Sequence, residues 1–189
     1  MEIVIIFGPP GAGKGTQANL MSKNLGLEHI STGELMRKEA SKKTILGKKI
    51  KKLIDSGHFV SDELITEVIE NILSRKNTRG LIFDGFPRTL EQAKLFEELI
   101  EEKKIRKVCL VNLEVHEHEL VNRLLKRKSL EGRNDDNADT IKTRFETYEK
   151  KTLPILSYFN NKIKIFHIQG IGEIDNINKE ILQNLKTFK

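Results

Sequence analysis

Residues 8–16, Gly-Pro-Pro-Gly-Ala-Gly-Lys-Gly-Thr, follow directly on the apolar run Ile3-Val4-Ile5-Ile6-Phe7. A chain that leaves a buried strand through three glycines, enters a helix at a lysine and follows it with a fourth glycine has few ways to fold. Without Cβ atoms in the way, successive backbone N–H groups can converge on an anion. Lys14 adds a mobile positive charge, and a helix starting there points its positive end at the same place. Four fixed glycines and a lysine recur by chance about once in a million positions. The segment therefore reads as a cradle for a nucleotide polyphosphate. It departs from the general G-x-x-x-x-G-K-[ST] pattern, because Gly15 takes the hydroxyl position and Thr16 follows. That hydroxyl ordinarily helps to hold Mg²⁺. Here the metal has to be held by Thr16, or through water and a carboxylate elsewhere.

Short apolar runs alternate with amphipathic stretches along the rest of the chain. Strands are expected at 2–7, 80–84, 107–113 and 162–168, with a shorter one near 28–31. Unbroken apolarity in 2–7 and 107–113 indicates burial on both faces, as in a parallel sheet covered by helices. Helical patterns fall near 14–25, 32–41, 44–55, 61–75, 89–103, 116–128, 139–159 and 173–187. Such alternation predicts a doubly wound α/β domain whose ligands lie beyond the carboxyl ends of the strands. Residues 31–60 carry helices without an intervening strand and read as an insertion over the site. Residues 126–137 are polar throughout, too charged for core, and suit a mobile cover over phosphates or a disordered loop.

Composition narrows the partners. The chain has 189 residues, 38% apolar and 32% charged, which suits one core under a heavily solvated surface. A net charge of +6 permits nucleic acid, an anionic membrane or a phosphorylated small molecule. Two Tyr and no Trp leave little for base stacking, which argues against a general nucleic-acid platform. The lysines of 48–52 read as solubilising. Cys109, the single cysteine, lies in Val108-Cys109-Leu110-Val111 and reads as a buried small hydrophobe that builds neither a disulfide nor a thiolate metal site. The first apolar run is five residues long, whereas a membrane span needs roughly twenty; a cytoplasmic location without membrane contact is expected.

Further constellations surround the cradle in sequence. Asp84-Gly85-Phe86-Pro87-Arg88-Thr89 follows Leu81-Ile82-Phe83, placing an acid at a strand end where it can hold Mg²⁺, or simply make an Asp-Gly turn. Arg88 offers a planar fork for a second phosphate. Thr89 with Gln92, and Ser31 with Glu34, fit helix capping boxes; Thr32 is then free in the first turn, with Arg37 further along, and the Gln92 amide could also read a base edge. His58-Phe59-Val60 could wall a base. Arg123 and Arg127 share one helix face, with Glu119 placed for an ordinary i,i+4 pair to Arg123. Arg133 precedes Asp135-Asp136, and Arg144 lies on the next helix. His116 and His118, two apart, diverge on a helix and read as a solvated helix start rather than metal ligands.

Taken together, these segments resemble the adenylate kinases of the nucleoside-monophosphate kinase family. The likeness runs nearly end to end, through Gly8–Thr16, Ser31-Thr32-Gly33-Glu34 with Arg37, and Asp84–Thr89 with Gln92. It continues through Arg123-Leu-Leu-Lys-Arg127, Gly132–Asn137, Arg144 and Thr152-Leu153-Pro154. Gly15 is the family's habit. The resemblance implies a single P-loop domain over 1–189, a three-layer α/β/α fold with a central parallel sheet. It also implies a helical AMP-binding insertion at 31–60 and a short lid at 126–136. The implied reaction is ATP + AMP ⇌ 2 ADP with Mg²⁺ and without a covalent enzyme intermediate. Gly11, Ala12, Gly13, Lys14, Gly15 and Thr16 would hold ATP phosphates, with Arg127 beside them and Arg123 and Gly172 at the ATP adenine. AMP would meet Thr32, Arg37, His58, Phe59, Val60, Gly85, Phe86, Pro87, Arg88 and Gln92. Arg133 and Arg144 would clamp the phosphoryl group between the nucleotides, and Asp84 would order Mg²⁺-bound water. The short lid lacks the four zinc-binding cysteines of longer ones, so no structural zinc is expected, and a monomer is. A uridylate/cytidylate kinase shares the fold and the short lid, although Thr89 and Gln92 resemble the adenylate version. A nucleotide-dependent switch is disfavoured because Asn161-Lys162 lacks the Asp of N-K-x-D.

Overall fold

The computed structural model describes residues 1–74, 79–132 and 136–188, and only the backbone of Ala138. Strand β1 (Glu2–Phe7) lies at the centre, with all but Glu2 buried, as its unbroken apolar run requires. It is flanked by β3 (Gly80–Asp84) and β4 (Lys107–Glu114), with β2 (Glu28–Ser31) beyond β3 and β5 (Lys164–Gln169) beyond β4. Every pairing is parallel, and the order β2-β3-β1-β4-β5 reverses direction at β1. Ligand crevices open at such a reversal. The glycine loop leaves β1 at this point.

Alternating strand residues build two apolar layers. Ile3, Ile5 and Phe7 face one layer with Leu81, Phe83 and residues of α4 (Asp62–Leu73), α5 (Leu90–Glu102) and α8 (Pro154–Phe159). Val4 and Ile6 face the other, against α1 (Lys14–Leu25), α9 (Ile174–Thr187) and Leu120 of α6 (Glu117–Glu131). Cys109 is wholly buried in the second layer, and burial pushes its thiol up to about 12. It is a packing residue.

Helices α2 (Thr32–Ala40) and α3 (Ile45–Asp55) pack on one another between β2 and α4, contributing Met36 and Ile50 to the first layer. Side-chain caps fix their starts: Ser31 Oγ accepts from the Glu34 N–H at 3.3 Å and Thr44 Oγ1 from the Gly47 N–H at 2.9 Å. Among the described residues no helix is long and apolar enough to cross a membrane.

Two expectations need correction. Helix α6 continues through Glu131 and ends where Gly132 turns left-handed, so half of the stretch read as irregular is helical. The single helix expected over 139–159 is instead α7 (Ala138–Thr147), a π-helical turn (Tyr148–Thr152) and α8. Pro154 explains the break. It brings no N–H, and its ring collides with the carbonyl four residues back in an unbroken helix. The wider turn relieves this: the Leu153 N–H donates to Tyr148 O, five residues back, at 2.8 Å. The turn also swings Thr152 inward, where its hydroxyl donates to Arg88 O at 2.8 Å.

Candidate active site

Close approach dictates the loop's first residue. Gly8 has φ +137°, and a Cβ there would lie 2.7 Å from Leu113 O of β4; only glycine lets the loop turn this tightly against its neighbour strand. Lys14, opening α1, curls back so that Nζ donates to Gly8 O and Pro9 O, both at 2.8 Å. Burial lowers its pKa from the usual 10.5 to about 7; Asp84 raises it, while Arg88, Arg144 and Arg127 lower it further. An ammonium short of water and ringed by guanidinium groups is an anion receptor in want of negative charge.

Asp84, at the end of β3, points at the same spot. Its Oδ2 lies 3.4 Å from where a Cβ on Gly15 would sit, an ordinary van der Waals distance that sets the carboxylate against the start of α1. Burial raises the Asp84 carboxyl, but the His29 ring nitrogen 3.7 Å away, Lys14 and Arg88 outweigh that and hold it below the usual carboxylate range. A partly shielded carboxylate kept ionised beside a phosphate cradle is the hard oxygen donor that Mg²⁺ takes, directly or through its waters. Among the described residues no group of three or more His, Cys, Asp or Glu could hold a metal by itself.

On one side of the loop lies a cavity lined by Lys14, Thr32, Arg37, His58, Phe59, Val60, Gly85, Phe86, Pro87, Arg88, Gln92 and Arg144. It thus gathers every residue expected on the AMP side except Arg133, which lies outside the described residues. Met36, Ile54, Ile65 and Tyr148 add apolar wall. The Arg88 guanidinium stacks 5.2 Å from the Phe59 ring centroid, its Nε donating to Gly85 O at 2.8 Å. Thr32 departs from expectation: it is buried, not free, and its hydroxyl donates to Gly85 O at 2.8 Å. Gly85 has φ +83°, and an added Cβ would lie 2.5 Å from Arg88 Nη2 and 2.8 Å from Thr32 Oγ1. Gly85→Ala should therefore displace Arg88 and raise KM for the cavity's nucleotide at least tenfold, leaving KM at the loop's other side within about twofold, as steady-state kinetics with each nucleotide varied will report.

A second recess, a cleft, is lined by Ala12, Gly13, Thr16, Arg123, Gly170 and Gly172, with Glu119, Asn122 and Ile174. Arg123 is fixed from two directions, Nε on Glu119 Oε1 at 2.7 Å and Nη1 on Gly170 O at 2.9 Å. The ordinary i,i+4 pair is thus present, and it aims the guanidinium across the cleft. Gly11, within the loop, backs onto α6, where a Cβ would meet Leu120 O at 2.9 Å.

Arg127 does not line either recess. It grips Asp136 through Nε–Oδ2 and Nη2–Oδ1, both 2.7 Å, and Arg144 Nη1 shares Oδ1 at 2.6 Å. Asp136 is wholly buried. In the sequence it stands only within a polar stretch; in the fold it ties the two arginines together. Its place in the Gly132–Asn137 motif was the signal that could have singled it out. Thr152 was likewise visible only as part of Thr152-Leu153-Pro154. His116 and His118 are exposed at the start of α6, as expected.

A cationic cavity that holds the loop's lysine and a second recess lined by other residues of the same glycine loop make this a P-loop phosphotransferase acting between nucleotides. Residues 6–164 match the family model described as adenylate kinase. A protein of Parabacteroides distasonis named adenylate kinase is 45% identical over 187 residues, covering 97% of this chain and 98% of its own. The adenylate kinase of Thermus thermophilus is 41% identical over 176 residues, covering 93% and 92%. That of Leptospira biflexa is 40% identical over 186 residues, covering 98% and 100%. The chain belongs to the adenylate kinase family.

Proposed function

We propose that the protein catalyses the reversible transfer ATP + AMP ⇌ 2 ADP, with ATP in the cleft and AMP in the cavity. The observation that carries this is Lys14, which lines the cavity with Arg88 and Arg144 beside it, on the same glycine loop whose Ala12, Gly13 and Thr16 line the cleft. An oxygen of the AMP phosphate forms the new bond to the γ-phosphorus as the bond to the bridging β,γ-oxygen breaks. Charge then spreads over the equatorial oxygens, and converging cations stabilise it without a covalent enzyme intermediate. Gly11–Thr16 would offer their N–H groups to the donor phosphates, and Arg37 and Arg88 would hold the AMP phosphate. Arg127, Arg133 and Arg144 would close on the transferring group, while Arg123 and Gly172 would border the donor adenine. Phe59, Val60 and His58 would wall the acceptor base, with Phe86 and Pro87 behind. Asp84, with Thr16, would hold Mg²⁺ through water; bound, the metal supplies charge neutralisation on the phosphate oxygens. Residues 31–60 act in this reading as the AMP-binding insertion and 126–136 as a short lid, and together they exclude the water that would otherwise hydrolyse ATP. The enzyme is read as a cytoplasmic monomer.

Turnover of AMP, CMP, UMP and GMP with ATP and Mg²⁺ in a coupled assay tests the assignment. AMP is expected to be preferred; a strong preference for CMP or UMP would refute it.

Lys14 adds a pH signature. Its ammonium titrates near 7 without nucleotide, and polyphosphate favours the protonated form. Binding of ATP therefore takes up a proton at pH 8, and affinity falls as pH rises above about 7. Calorimetry in two buffers of different ionisation enthalpy should register uptake of up to about one proton. Lys14→Met should abolish that uptake.

A further inference from the structure

We propose that Asp62 sets the base preference of the cavity by fixing which way round the Gln92 carboxamide sits. This rests on the reading of the cavity as the AMP site and names a residue that selects the base there. Asp62 is the first residue of α4, where the 31–60 insertion rejoins the core. Its Oδ1 accepts from Gln92 Nε2 at 2.6 Å, and its Oδ2 accepts from the Thr89 hydroxyl at 3.1 Å. Thr89 Oγ1 in turn accepts from the Gln92 N–H at 3.1 Å. On the other side of the amide, Gln92 Oε1 accepts from the Arg88 backbone N–H at 2.7 Å.

The chemistry of those partners leaves the amide one orientation. A carboxylate only accepts and a backbone N–H only donates, so Nε2 must face Asp62 and Oε1 must face Arg88. A flip would set oxygen against oxygen and N–H against N–H. Gln92 is 2% exposed and lines the cavity, so water does not compensate for a wrong orientation. Nε2 carries two N–H bonds, and Asp62 Oδ1 takes one. What remains for a ligand is the second Nε2 hydrogen, beside the second lone pair of Oε1, with donor and acceptor held in fixed places.

A donor at this place selects the ring nitrogen it meets. Adenine N1 and cytosine N3 are acceptors and complement it. Guanine N1 and uracil N3 each carry a hydrogen and leave N–H facing N–H. Asp62 is thus a positioning residue that acts on specificity through Gln92, without itself meeting substrate or reacting atoms.

Steady-state kinetics with AMP, GMP and UMP on wild type, Asp62→Ala and Asp62→Asn tests this. Asp62→Ala removes one of the two groups that fix the amide and leaves the Arg88 N–H alone to oppose a flip, and the kcat/KM ratios AMP:GMP and AMP:UMP should each fall about tenfold, the worth of one matched against one mismatched hydrogen bond. KM for ATP should stay within about twofold. Asp62→Asn keeps an acceptor for Nε2 and should restore the ratios. Unchanged ratios in Asp62→Ala overturn the role of Asp62 alone, whereas a wild type that prefers CMP or UMP overturns the AMP reading beneath it. Should Asp62→Ala not fold, side-chain amide NMR of the wild type decides. One Gln92 Nε2 proton should be hydrogen-bonded before nucleotide is added and the other should shift with AMP; two equivalent, solvent-like protons overturn the proposal.

Discussion

Lys14→Ala is expected to lower kcat for phosphoryl transfer by about 10²–10³-fold, the effect of removing one preorganised donor from a charged transition state. The protein should remain folded. Lys14 is held well below its ordinary pKa, so at neutral pH the folded state already bears a cost for keeping it charged. In the folded state the group binds its proton only below about 7, whereas unfolded it does so up to about 10.5. Its presence therefore penalises folding at low pH, and the penalty eases as pH rises from about 7 toward 10.5. The alanine variant should accordingly melt at or above the wild-type temperature at pH 6, with the two curves converging at higher pH. Loss of turnover without loss of stability separates a chemical role from a structural one. Near-normal turnover would contradict the assignment.

Asp136→Asn should act on both. Asp136 is wholly buried and accepts from Arg127 and Arg144 together, and those guanidinium groups are themselves mostly covered. Removing its charge leaves two cations facing one neutral amide, a change that costs about 3–5 kcal/mol when a buried pair loses a partner. In a domain of this size that corresponds to a fall in Tm of roughly 10 °C or more. Arg144 lines the cavity, so its loss of position should also lower kcat by about tenfold. Nucleotide phosphates supply the missing negative charge, and ATP with AMP should consequently raise the Tm of the variant more than that of the wild type. A melt within about 2 °C of the wild type would show that the carboxylate is not holding these arginines.

The difference between these two residues shows what the sequence made legible. Lys14 was readable because its meaning is local: the glycines that shape its loop are within six positions of it. The central strand was readable for a similar reason, since the five consecutive apolar residues Ile3–Phe7 suit a sheet covered on both faces. Helix starts at Ser31, Thr44 and Thr89 carried their own hydroxyl acceptors. Asp136 was opaque. An aspartate among Arg, Asn and Asp has the pattern of a solvated loop, and only the approach of α6 and α7 makes it a buried clamp. The burial of Thr32 was equally hidden, because its partner, Gly85 O, lies fifty-three residues away. The π-helical turn at Tyr148–Thr152 was hidden by a periodic pattern that Pro154 interrupts without ending. Gln92 was read either as a cap or as a base reader. Its backbone N–H does cap onto Thr89, and both ends of its amide are occupied by Arg88 and Asp62, a network that no spacing in the chain announces.

The most direct test of two nucleotides meeting across Lys14 is a crystal structure with a bisubstrate dinucleotide, two adenosines joined through a polyphosphate. One adenosine should lie against Phe59 and Val60 and the other between Arg123 and Gly172, with the phosphate chain in contact with Lys14, Arg88 and Arg144. A complex in which both adenosines sit on the same side of the glycine loop, or in which the arginines stand clear of the phosphates, would contradict the account.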